Sequence, residues 1–341
     1  MKTLESSTIR NFAPSWFAAV MGTGILAMTG LQHANALPIL GPVSIVLTYF
    51  NIALFFILLV PWSLRWIFFR KEALSDFRHP IQSNFYPTMT ISIVLMSAHF
   101  GVLGHPLWAY YTWWIGALGT VIFSVLIPLE MFKSEEIAID HISPAWFIPP
   151  VSLIVIPLVG GNFIPQTTGI EQELVILINY FGFGSGFLLY IALLAICLYR
   201  FIVHHPLPNV LAPTIWISLG PVGAGAIALI NVVGGSAFVT TKEPFFVMGF
   251  LLWTFGIWWL FIAIGLTVHY LRRLQLPYAM TWWAFIFPLG AFVAGSHAVS
   301  LSLGISIVEV VGFILYWLLL ILWIITIVKG VVSSMHPKKA T

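Results

Sequence analysis

Apolar residues run in long stretches along this chain, parted by short breaks that hold nearly all of its charge. Stretches of about 20 residues cross a bilayer as helices, because every backbone N–H and C=O must find its partner where water is absent. Ten such stretches can be read: 14–32, 43–68, 83–103, 107–132, 144–161, 173–200, 210–234, 245–271, 279–301 and 304–330. The fifth is short and rich in proline. The pattern predicts an all-α membrane protein in which residues 1–341 form a single transmembrane domain.

Composition agrees and narrows the function. Of the 341 residues, 60% are hydrophobic and only 7% are charged; mean hydropathy is +1.01. A soluble domain carries about 25% charged residues to cover its surface, so the solvent for most of this surface is the lipid bilayer. Aqueous enzymes and disordered proteins are excluded by the same count. The net charge of +3 gathers into no patch large enough for nucleic acid. With one cysteine, Cys197, neither an internal disulfide nor a thiolate metal site is available, and the residues imply no cofactor. The polar segment from Met1 to Pro14 lacks the apolar core of a cleaved signal, so the first helix is expected to remain.

The basic residues orient the helices. With both termini in the cytoplasm, 13 of the 14 Lys and Arg residues fall on that side, and only Lys242 falls opposite. This is the asymmetry of the positive-inside rule. An odd number of spans would scramble it. The expectation is an integral protein of the cell membrane, plasma or inner, with both termini cytoplasmic.

The spans alternate in character. Even ones are long and rich in Leu, Ile, Phe and Trp, as walls against lipid should be. Odd ones share an aromatic pair followed by Pro or Gly four to six residues on: "PSWFAAVMGTG", "SNFYPTMTIS", "PAWFIPPVSL", "PTIWISLGPVGAG" and "TWWAFIFPLGAF". Their leading aromatics, Trp16, Phe85, Trp146, Trp216 and Trp283, recur at intervals of 69, 61, 70 and 67 residues. Five tandem helical hairpins is the simplest reading. Proline inside a helix costs about 3 kcal/mol, so breaks at Pro87, Pro149 or Pro150, Pro221 and Pro288, with Gly22 and Gly24 in the first repeat, call for a common cause. Broken backbone at membrane depth is tolerated where it packs in protein or lines a water-filled cavity. The expectation is that odd helices line a central pore and even helices stand outside. The plainer account is that these are small packing positions.

Three strings then identify a resemblance. "FAPSWFAAVMGTGILA" (Phe12 to Ala27) resembles the opening helix of the tellurite-resistance/dicarboxylate transporter family, "FRHPIQSNFYPT" its entry into helix 3, and "WWAFIFP" its helix 9. That family includes bacterial TehA, the yeast malate permease, the fungal sulfite efflux pump and the plant guard-cell slow anion channels. The likeness runs along nearly the whole chain, departing from the fungal pattern around Tyr86–Thr88, where glycine is more usual. It implies a homotrimer in which each subunit carries its own weakly charged pore for small anions. It also implies that the phenylalanine before the helix 9 proline, here Phe287, plugs that pore.

No odd span carries Lys or Arg in its interior. An uncharged pore can still favour an anion through helix N-termini at the breaks and through hydroxyls. Thr23, Thr88, Ser92, Ser152 and Ser218 are the candidates. Acidic rings that would select cations are missing. Ionisable residues within the membrane are functional candidates by default: His99 in helix 3, His297 in helix 9 and Glu309 in helix 10. His297 and Glu309 flank the last turn and could pair across it. They read either as proton-coupling groups or as an interhelical hydrogen bond. The cluster Glu130, Glu135, Glu136 and Asp140 reads as a solvated acidic loop.

The leading function is passage of small inorganic anions or C4-dicarboxylates such as malate through an uncharged pore. The alternative is proton-coupled efflux of sulfite or another oxyanion. A remote one is a haem-binding membrane oxidoreductase using His99 and His297. An intramembrane hydrolase ranks last, for want of a HExxH motif or paired intramembrane aspartates.

Overall fold

The computed structural model describes residues 8–335 apart from 136 and 275. Glu136, Lys2, Lys338 and Lys339, which entered the charge patterns above, lie outside the described residues. Ten helices are long and apolar enough to span a membrane: α1 (Pro14–Gln32), α2 (Leu40–Phe68), α3 (Gln82–Val102), α4 (Pro106–Phe132), α5 (Pro144–Gln166), α6 (Gly169–Val203), α7 (Asn209–Gly235), α8 (Glu243–Leu274), α9 (Met280–Leu303) and α10 (Ser306–Met335). Each coincides with an expected stretch. The short fifth one gains length because the chain continues through a 3-10 segment, Gly161–Gln166. No strand occurs among the described residues.

Burial divides the ten into two sets. The odd helices are 67–89% buried along their most apolar stretch, the even ones 22–33%. Each odd helix packs against the even helix that follows it. The odd helices also pack on one another in a closed order, α1 on α3, α3 on α5, α5 on α7, α7 on α9, and α9 back on α1. The result is an inner ring of five and an outer ring of five, with exposed Leu, Ile, Phe and Trp covering the outside. No water has to solvate that surface if lipid does.

Local chemistry explains the two kinds of helix. Every odd helix opens as a 3-10 segment and becomes α-helical further in, at Phe17, Pro87, Ile148, Leu219 and Phe287. Pro87, Pro149, Pro150, Pro221 and Pro288 all fall within the first three residues of the α-helical part. There the missing N–H has no intrahelical partner to lose, so proline starts the helix at little cost. The even helices have no such switch at their beginnings and run on as α-helix, α8 closing with one π turn at Tyr270–Leu274.

Tryptophans of the outer ring tie it to the inner one. Trp113 of α4 donates to the Ile156 carbonyl of α5 at 3.0 Å, and Trp259 of α8 to the Ile215 carbonyl of α7 at 2.8 Å. Trp253 of α8 donates to Ser296 Oγ of α9 at 2.8 Å, and Trp323 of α10 to Thr23 Oγ1 of α1 at 3.1 Å. An indole buries a large apolar body while its single donor fixes the contact. Where helices of the inner ring cross, small residues let backbones meet: a Cβ on Gly223 of α7 would lie 2.5 Å from the Ala291 carbonyl oxygen of α9.

Candidate functional site

The ring encloses a cavity of about 40 Å³, to which every odd helix contributes. Met21 comes from α1, Thr88 and Ile91 from α3, Val151 from α5, Gly220 from α7 and Phe287 from α9. These residues lie in the first turns of the α-helical parts, so five helix starts converge on one small space. Such a space holds about one water molecule. Phe287 is 4% exposed, sits at the head of its α-helical segment and is followed by Pro288.

A wider chamber opens on each side. Toward the end that carries the described Arg residues and the start of the chain, a chamber of about 420 Å³ shares Phe85, Met280 and Thr281 with the central cavity. Its wall includes Arg65 and Asp76. The guanidinium of Arg65 meets Asp76 Oδ2 at 2.5 Å and donates to the Phe12 carbonyl at 2.6 Å. That charge is therefore spent within the chain. The pair also clamps the helix Arg70–Arg78 against the mouth, where Tyr86 donates to the Ala73 carbonyl at 2.7 Å.

Toward the far end a chamber of about 630 Å³ is lined by all five odd helices and carries Gln32, Asn162, Gln166, Asn231 and His297 among apolar residues. A separate apolar cluster joins α5, α7 and α9 and packs against Phe183 and Phe187 of α6. Ile154, Ala224, Ala228 and Ala291 are fully buried there.

The expected site residues divide sharply in this geometry. Of the five hydroxyls, Thr88 lines the central cavity, and its Oγ1 donates to the carbonyls of Pro14 and Phe85 at 3.0 and 2.6 Å. The other four do not. Thr23 faces α10 and accepts from Trp323. Ser92 is drawn to the Phe17 and Thr88 carbonyls, Ser152 to the Pro149 carbonyl, and Ser218 to Tyr190 Oη at 2.6 Å. Each of these four hydroxyls is buried between helices and has a hydrogen-bond partner within the protein, as desolvation favours.

Gly22 and Gly24 correct the first repeat. They lie inside the uninterrupted helix Phe17–Gln32 and are not a break. Their reason is close approach: a Cβ on Gly22 would lie 2.9 Å from the Trp283 ring, and one on Gly24 2.7 Å from Asn51 Nδ2 and 3.0 Å from His99 Nε2. The switch in this helix comes earlier, after the 3-10 turn Pro14–Trp16.

The histidines also separate. His99 is fully buried against α2, its Nε2 3.0 Å from Asn51 Nδ2, and lines none of the three spaces. His297 lines the far chamber and its Nδ1 meets Glu309 Oε1 at 3.0 Å. Sequence reasoning missed a third member, His33, whose Nδ1 lies 3.3 Å from the same carboxylate. His33 sits in the polar break after α1, where nothing local announces a partner on α10. Asn51 and Asp76 were missed for the same reason: each is read only through the residue it meets.

Comparison with known proteins fits this architecture. Residues 11–331 match the family of voltage-dependent anion channels. An uncharacterised transporter of Methanocaldococcus jannaschii is 56% identical over 322 residues, covering 94% of this chain and 93% of that protein. A sulfite efflux pump of Trichophyton rubrum is 24% identical over 347 residues, covering 96% and 92%. A malic acid transport protein of Schizosaccharomyces pombe is 22% identical, covering 94% and 78%. With a match that takes in all ten helices of the double ring, this chain belongs to the voltage-dependent anion channel family.

Proposed function

We propose that small anions cross the membrane along the axis of the inner ring, through an uncharged pore that Phe287 closes. The observation that carries this is the central cavity, to which all five odd helices contribute and which Phe287 walls. The space is small, about 40 Å³, and on this reading the Phe287 side chain swings aside for an anion to pass. Selection for anions rests on the five helix starts gathered there, since aligned peptide dipoles put partial positive charge at helix N-termini. Weak attraction of that kind lets an ion leave as readily as it enters. Relatives that export sulfite and carry malic acid support small oxyanions and dicarboxylates as the cargo. They also point to a transporter and away from an enzyme. We place both termini in the cytoplasm on the basic-residue asymmetry, and a homotrimer follows from the resemblance.

Voltage-clamp recording on the reconstituted protein with chloride, nitrate, sulfite and malate tests this reading. The expected result is anion current with negligible cation current. Cation current of equal size would overturn it.

A second reading, proton-coupled efflux of sulfite or another oxyanion, is favoured by one observation: His33, His297 and Glu309 form a titratable cluster at the far chamber. Transport abolished by a protonophore supports coupling. Transport unchanged by it supports the passive pore.

A further inference from the structure

Arg200 lies in the last turn of α6 and is 2% exposed. Its Nε and Nη1 are buried without a hydrogen-bond partner. Among the described residues no carboxylate lies within ion-pair distance of it; Asp140, in the acidic segment, is taken by His204 at 2.8 Å. Arg65 occupies the corresponding place at the end of α2 and is equally buried. Arg65 has Asp76 and the Phe12 carbonyl as partners. A buried guanidinium left without such partners is strongly destabilising, and none of the described carboxylates supplies one, which leaves its Nε and Nη1 free to take an acceptor brought by a ligand.

The surroundings say what kind of acceptor. Arg200 lines a cavity of about 260 Å³ between the ends of α6 and α8. Trp259 and Tyr270 form its buried wall, and Trp258 and Ile262 its exposed flank on the outer ring. His204, His205 and His269 stand among the same lining residues. The cavity therefore joins an apolar, lipid-facing side to the Arg200 guanidinium and a rim of imidazoles, at the end of the bundle where the basic residues gather. A guanidinium offers a planar fork of donors that matches the oxygens of phosphate.

We propose that this pocket binds a phosphate group, with Arg200 as its principal donor and the histidines as rim. The exposed aromatic flank suits the phosphate of a phospholipid headgroup, and free inorganic phosphate shares the same chemistry. The site is separate from the axial pore and does not depend on the transport reading.

The test uses delipidated protein in detergent, followed by native mass spectrometry and thermal unfolding. It is titrated with phosphatidylglycerol, with diacylglycerol of the same chains, and with inorganic phosphate. The expected result is a raised unfolding midpoint and one bound phosphatidylglycerol per chain, with diacylglycerol inert. Arg200→Gln should bind about 10-fold to 100-fold more weakly, the scale of a lost hydrogen bond to a charged group. His205→Ala, altered at an exposed position, should bind several-fold more weakly and guards against misfolding of the first variant. A shift with inorganic phosphate alone, lost in both variants, assigns the site to the free ion. Equal response to diacylglycerol, no response to either phosphate compound, or responses unchanged in the variants would overturn the proposal.

Discussion

Arg65 Nη2 lies 2.5 Å from Asp76 Oδ2, joining the end of α2 to the short helix beneath the mouth of the ring. The arginine side chain is 6% exposed and the aspartate 20%. Removing one partner of a buried pair strands the other charge and costs roughly 3–5 kcal/mol. Partial exposure of Asp76 puts this case at the low end. Asp76→Asn is expected to lower stability by about 3 kcal/mol, read as a drop in thermal midpoint in detergent. Glu72→Gln, at the neighbouring exposed pair with Arg10, should leave the midpoint unchanged.

Gly24 makes a second prediction, because the space beside it is already filled. An alanine there would bring its Cβ to 2.7 Å from Asn51 Nδ2 and 3.0 Å from His99 Nε2. Overpacking of this kind costs about 1–3 kcal/mol. The cost should fall when Asn51 is shortened, since the amide is the nearer obstacle. A double-mutant cycle of Gly24→Ala with Asn51→Ala is therefore expected to be non-additive. Additive losses would mean that the two residues do not press on each other.

The double ring was largely legible in the sequence, and for a physical reason. Spans long enough to cross a bilayer announce themselves by composition, and the aromatic–proline repeat marked which of them would lie inside. Which way a side chain points in the inner ring was not legible. Helices such as α5 and α7 are apolar on every face and buried all round, so no polar stripe sets their rotation. Thr23 and Thr88 look alike in sequence, yet one faces α10 and the other the central cavity. Phe287 entered through a family resemblance, and a chain with 28 phenylalanines offers no local sign that singles it out.

Glu309 bears on whether the far chamber is a proton site or a clamp. Its carboxylate, one-third exposed, lies 3.0 Å from His297 and 3.3 Å from His33, joining α10 to α9 and to the break after α1. As a clamp it should contribute about 1 kcal/mol, reduced by its exposure to solvent. Glu309→Gln is then expected to lower the thermal midpoint slightly while anion flux into liposomes stays within about twofold. Loss of a pH-dependent component of flux in this variant, with stability unchanged, would instead favour proton coupling.

Phe287 and Phe292 give the sharpest comparison, because they share a helix and a chemistry but not a neighbourhood. Phe287 borders the central cavity. Phe292 faces the outer ring, stacked on Trp253 at 5.8 Å, and a Cβ on Gly256 would lie 2.2 Å from its ring. If Phe287 closes the pore, shortening it in steps to Leu, Val and Ala should raise anion conductance step by step, as the obstruction shrinks. Shortening Phe292 to Ala should instead cost about 3–5 kcal/mol of stability through the cavity it leaves, without raising conductance. Single-channel recording on both series, beside thermal unfolding, separates the two effects. A Phe287→Ala protein that conducts no better than wild type would remove this residue from the pore, and equal gains from Phe292→Ala would make the effect one of loosened packing.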